Sequence, residues 1–104
     1  MEYKVKHGLS DRAQVRTVVE KAYEAYKERL ANYNPSIKWV SDRAAEINFS
    51  VKGMGMDTKF VIDDDELHIT GKIPWLFKPF ERKILDVVGN EVDKWLAKAR
   101  KGEI

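Results

Sequence analysis

The chain has 104 residues, with nineteen basic and seventeen acidic side chains, a formal net charge of +2 and no cysteine. This length suits one domain, and the lack of cysteine excludes disulfides and thiolate metal sites. Charges of both signs are interleaved along the sequence, which does not predict the concentrated basic surface of a nucleic-acid-binding protein. No apolar run approaches the roughly 20 residues of a membrane span, and residues 1–4 show no apolar signal core, so we expect a soluble, cytoplasmic protein.

The N-terminal part predicts a strand followed by an amphipathic helix. Residues 2–7 alternate in polarity, which predicts a strand, and Gly8 ends it. Ser10 is the predicted N-cap of a helix that runs from about residue 11 to residue 31. Its apolar side chains are spaced by three and four residues, as expected for one buried stripe: Val15, Val18, Val19, Ala22, Tyr26 and Leu30.

Residues 37–73 predict four strands. A short strand around Ile37 and Trp39 precedes a stretch of strict alternation between apolar and polar residues. The predicted inward series is Ala45, Ile47, Phe49, Val51, Met56, Thr58, Phe60, Ile62, Leu67, Ile69, Gly71 and Ile73. Turns at residues 41–43, 53–55 and 63–65 separate the strands. Such alternation predicts an antiparallel sheet with one buried face and one solvated face.

A second amphipathic helix is predicted from about residue 80 to residue 100. Its buried stripe comprises Ile84, Leu85, Val88, Val92, Trp95, Leu96 and Ala99, and Gly89 within the stripe suggests a close approach to the sheet. The predicted fold is an α+β two-layer sandwich of order β-α-β-β-β-β-α. Its five-stranded antiparallel sheet has strand order 1-5-4-3-2 and carries both helices on one face. This arrangement is similar to a reduced helix-grip fold.

The sequence contains no recognisable catalytic or metal-binding constellation, so we expect no catalytic residue, metal or cofactor. His7 and His68 fall on opposite faces of the predicted sheet and should not form a pair; we expect His7 to bond to the start of the helix at Ser10. The acidic run at 63–65 lacks the spacing of an EF-hand loop and predicts a solvated turn. Gly53–Gly55 is not followed by a helix, which argues against a phosphate loop.

Residues 74–80, the aromatic segment, are the strongest candidate for a binding surface. Large apolar side chains are flanked there by basic ones: Trp75, Leu76, Phe77 and Phe80 with Lys72, Lys78 and Lys83. This combination suits the boundary between water and an apolar phase. The alternative is that the rings plug the open end of the core. We expect at least one of Trp75, Leu76 and Phe77 to remain partly exposed.

Several motifs together resemble a known bacterial family. They are His7–Ser10 before the first helix, Trp39 before the turn at Asp42, Gly53–Gly55, the Asp63–Asp65 hairpin, and Ile73–Phe80 leading into the last helix. Across residues 7–96 the chain resembles the polyhydroxyalkanoic acid system, or granule-region, proteins. The resemblance implies an accessory role in the bacterial storage of polyester granules and supplies no catalytic residues.

Three functional hypotheses follow. The first is a non-enzymatic accessory protein that docks on an apolar polyester granule surface or on a granule-system protein. The alternative is a small carrier of an apolar ligand, held between the sheet and the last helix by Phe49, Phe60, Ile69 and Trp95, which requires a cavity of about 300 Å³ or more. The third is an enzyme acting on an acyl compound, for which the alternating pattern supplies few converging polar groups. The oligomeric state is left open.

Overall fold

The computed structural model describes residues 2–51, 53–72, 75 and 78–104. Within them the chain forms β1 (Glu2–Lys6), α1 (Arg12–Arg29), a 3-10 helix (Ala31–Tyr33), β2 (Ser36–Ser41), β3 (Ala44–Val51), β4 (Met54–Ile62), β5 (Glu66–Gly71) and α2 (Lys78–Arg100). The strands form one antiparallel sheet in the order β1-β5-β4-β3-β2. The predicted fold class and strand order are therefore confirmed.

The predicted strand phase is also confirmed. The described inward side chains of β3, β4 and β5 are buried from Ala45 to Ile69, with Phe60 directly opposite Ile69. The side chain of Val51, also predicted to point inward, is not among those described. Thr58 is the polar member of the series, and its hydroxyl donates to the carbonyl of Ile47 at 2.8 Å. That bond satisfies a hydroxyl that would be costly to bury alone. Ile73 lies outside the described residues.

Both helices differ from prediction at their ends. The N-cap of α1 is Asp11 and not Ser10, because Asp11 has the extended backbone of a cap and its carboxylate accepts the N–H of Ala13 at 2.9 Å. The helix ends at Arg29, and the 3-10 helix and Asn34, in the left-handed conformation, then turn the chain toward β2. Helix α2 begins at Lys78, two residues before the predicted start. Proline at position 79 is compatible with this, because the first turn of a helix tolerates proline.

Helix α2 packs against the edge strand β1 at the predicted glycine. A Cβ atom on Gly89 would lie 3.4 Å from the Tyr3 ring, so the helix and the strand are in contact there. The Tyr3 hydroxyl donates to Asp93 Oδ1 at 2.6 Å. Burial, together with this bond to a carboxylate, raises the pKa of Tyr3 above its usual range. The contact positions α2 across the β1 side of the sheet.

Candidate interaction surfaces

His7 has a structural environment. It is buried, its Nδ1 accepts the Leu9 N–H at 3.0 Å, and its Nε2 lies 2.9 Å from the Asp63 carbonyl oxygen. An imidazole that accepts at Nδ1 donates from Nε2, so both ring nitrogens are occupied. The expected bond to the start of the helix is present, but it involves Leu9 and not Ser10. This histidine has no free nitrogen to act as a base.

His68 has acidic neighbours that the sequence did not reveal. Its Nε2 lies 3.2 Å from Asp63 Oδ2 and 3.8 Å from Glu66 Oε1. The two histidines are on opposite faces of the sheet, as predicted, yet both contact Asp63, one through its main chain and the other through its side chain. In the described part of the chain no group of three or more histidine or acidic side chains is arranged to hold a metal ion.

The aromatic segment presents two exposed rings in the described structure, and that of Trp75 is much the more exposed. Trp75 is 79% exposed, and Phe80 is 38% exposed. The lysines at 72, 78 and 83 are exposed as well. Pro74, Leu76 and Phe77 lie outside the described residues. Trp75 thus meets the expectation that the segment keeps an apolar side chain in contact with water.

Phe80 connects this segment to the 3-10 helix. Its ring lies 6.3 Å from that of Tyr33, edge to face, and Lys83 Nζ lies 5.9 Å from the Tyr33 ring centre. The side chain of Asn34 contacts the Ser50 hydroxyl at 3.4 Å, which places the end of β3 nearby. We call this region, comprising Trp75, Phe80, Tyr33, Lys78 and Lys83, the aromatic end.

The candidate apolar pocket contains almost no space. Phe49, Phe60 and Ile69 come together against α2, but the cavity that they line measures about 10 Å³. Trp95 is absent from its described lining and is half-buried, with the ammonium groups of Lys94 and Lys98 5.7 and 5.1 Å from its ring centre. A drug-sized ligand needs roughly 300 Å³ or more, so this cavity, as the described residues define it, is too small to hold one.

A second surface, which the sequence reasoning missed, lies between α1 and β2. It consists of a hollow of about 400 Å³ beside Tyr23, Ile37 and Trp39, and a hollow of about 560 Å³ beside Arg12, Arg16 and Arg43. The Arg16 guanidinium lies 4.3 Å from the Trp39 ring centre and joins the two hollows. We call the whole the edge groove. The spacing of Arg12 and Arg16, four residues apart on a helix, was its only local signal.

Comparison with known proteins identifies a family. Neither helix in the described part of the chain combines the length and the apolar composition of a membrane span. No curated protein and no solved structure matches the chain. A family model described as "Putative polyhydroxyalkanoic acid system protein" matches residues 2–96. Since the match covers nearly the whole chain, both layers of the sandwich included, the protein belongs to the polyhydroxyalkanoic acid system family.

Proposed function

We propose that this protein is a non-enzymatic accessory of polyester granules that docks on the apolar granule surface through its aromatic end. The observation that carries the proposal is the exposure of Trp75, at 79%. Every other ring that the structure describes is buried or half-buried against the core or, like Phe80, lies at the same end. An exposed tryptophan costs solvation free energy unless a partner covers it.

The chemistry around Trp75 suits a boundary between water and an apolar phase. Lys72, Lys78 and Lys83 are exposed, so their ammonium groups can stay in water while the rings contact the apolar surface. Lys78 Nζ lies 3.5 Å from Glu81 Oε2, and because the lysine side chain is exposed, this contact contributes little to stability. The lysines are therefore available to rim a docked surface.

The test is co-sedimentation with bare poly(3-hydroxybutyrate) particles. If docking covers about half of the tryptophan surface, the Trp75→Ser variant loses about 2 kcal/mol of binding free energy, which is roughly a 30-fold weaker affinity. Val40→Ser is the matched control, because Val40 is also exposed, at 48%, but lies on β2 and outside the aromatic end. We expect this control to bind like the wild type.

Three outcomes decide against the proposal. Equal binding of wild type and Trp75→Ser would remove this ring as the docking site. Unfolding of Trp75→Ser, detected by circular dichroism, would support the plug interpretation. Binding to native granules that protease treatment of the granules abolishes, with no binding to bare polyester, would assign the aromatic end to a protein partner.

A further inference from the structure

We propose that the edge strand β2 binds an extended, acidic segment of a partner protein, which adds a strand beside Ser36–Trp39 and places its carboxylates on Arg12 and Arg43 of the edge groove. An edge strand carries main-chain N–H and C=O groups on its free side, and an added strand can pair with them. The proposal concerns a surface separate from the aromatic end and does not depend on the docking function.

The two edges of the sheet differ in protection. Strand β1 has three charged residues among five, and Arg100 donates to the carbonyls of Lys6 and His7 at 2.6 and 2.8 Å just where it ends. Strand β2 has one charged residue, Lys38, among six. Charged side chains and covered ends are the usual means of blocking an edge. As far as the structure describes the chain, the β2 edge is therefore the less protected of the two and the better suited to pairing.

The groove supplies a place for the side chains of an added strand. Tyr23, Ile37 and Trp39 are each half-buried and form the apolar wall of the 400 Å³ hollow. The Tyr23 hydroxyl donates to the carbonyl of Pro35 at 3.0 Å, which holds this wall in position. Alternate side chains of a strand paired with β2 point toward α1 and would fill the hollow.

Charge selects the occupant. Arg12, Arg16 and Arg43 line the wider hollow, and among its described lining residues Asp42 is the acidic one. Arg16 is already paired with Glu20 at 3.1 Å and with Asp42 at 4.0 Å, so the arginines open to a partner are Arg12 and Arg43. Within the described residues Arg12 has no carboxylate at ion-pairing distance, and Asp64, which lies 3.7 Å from Arg43, is highly exposed. Guanidinium groups bind carboxylates through paired hydrogen bonds, so an acidic segment complements this end.

The register of β2 defines the length of the pairing. The ladder to β3 is regular from Ser36 to Trp39 and shifts before Ser41. A bulge of this kind bends the strand and ends regular pairing. The added strand therefore pairs with residues 36–39 and continues past Ser41 into the arginine hollow. Its expected sequence is a short alternating apolar stretch adjoining several acidic residues.

The test uses the full ¹⁵N-labelled chain and a short synthetic peptide of alternating threonine and valine that adjoins a run of glutamates, made in both orders because the strand direction is open. We expect amide shifts in residues 36–41 and in the first half of α1, with slower hydrogen exchange in β2. Two control peptides, one with lysines for the glutamates and one with a central proline, should bind at least 10-fold more weakly.

Variants test the site itself. The double variant Arg12→Gln, Arg43→Gln should weaken the peptide's affinity at least 10-fold. Arg82→Gln, an exposed arginine on α2 away from the groove, and Trp75→Ser should leave it unchanged. The last variant separates this proposal from the granule-docking function.

Several results would overturn strand addition. They are an absence of shifts with either peptide at millimolar concentration, equal binding of the proline peptide, or shifts outside the groove. Shifts in β2 that decanoate produces and the peptides do not would indicate an apolar carboxylate site. Concentration-dependent β2 shifts without peptide, with a dimer in analytical ultracentrifugation, would show that a second copy covers the edge.

Discussion

Two phenylalanines, one on a strand and one on a helix, differ greatly in burial, and they should therefore differ in their contribution to the free energy of unfolding. Phe60 is 2% exposed and lies between β3 and β5, opposite Ala45 and Ile69. Phe80 has the same side chain but is 38% exposed at the start of α2. Phe60→Ala should cost about 3–5 kcal/mol, because the packed strands and helix cannot collapse into the space. Phe80→Ala should cost about 1 kcal/mol, chiefly its contact with Tyr33.

Urea unfolding followed by circular dichroism provides the assay. With a slope of about 2 kcal/mol per molar urea, a loss of 4 kcal/mol lowers the unfolding midpoint by roughly 2 M. The free energy of unfolding of a domain of this kind is about 5–15 kcal/mol, so the Phe60→Ala variant would remain folded only at low urea concentration. Equal losses for the two variants would refute the burial argument. A loss below about 1 kcal/mol for Phe60→Ala would mean that the strand phase is wrong.

Two further substitutions test buried polar groups with the same assay. His7→Ala should cost about 2–4 kcal/mol, because it leaves the Leu9 N–H and the Asp63 carbonyl without partners. His68→Ala should cost less than about 1 kcal/mol, because it removes only a partly exposed contact with Asp63. Equal costs would contradict the structural role of His7. Tyr26→Phe should stabilise by about 1 kcal/mol at pH 7, since the buried hydroxyl has no partner among the described residues. Burial raises the pKa of Tyr26 well above 10, so above pH 10 the unfolded chain loses a proton that the folded chain keeps, and the free energy of unfolding falls. Tyr26→Phe lacks this group and should lose less stability than the wild type between pH 10 and 12. A lower unfolding midpoint of the variant at pH 7 would show that the hydroxyl is hydrogen-bonded.

The candidate surfaces were predictable to different degrees. The aromatic segment is contiguous, so its composition alone singled it out, but the exposure of Trp75 depends on how the connection leaves β5 and enters α2. The edge groove joins residues 12–24 with residues 37–43, and no local pattern relates them. It forms only when α1 lies beside the β2 edge, so sequence reasoning did not find it.

Periodic chemistry in the sequence alone determined the framework of this protein. Alternation from Ala45 to Ile69 defines the buried face, and short turns make the neighbouring strands β2 to β5 pair in sequence. The pairing of β1 with β5 joins the two ends of this stretch of chain and is a contact between distant segments. Contacts between distant segments were decided by the tertiary structure. Asp63 contacts both histidines, and α2 fills the space beside Phe60. These distances are set by packing, which depends on the shapes of all neighbouring side chains at once.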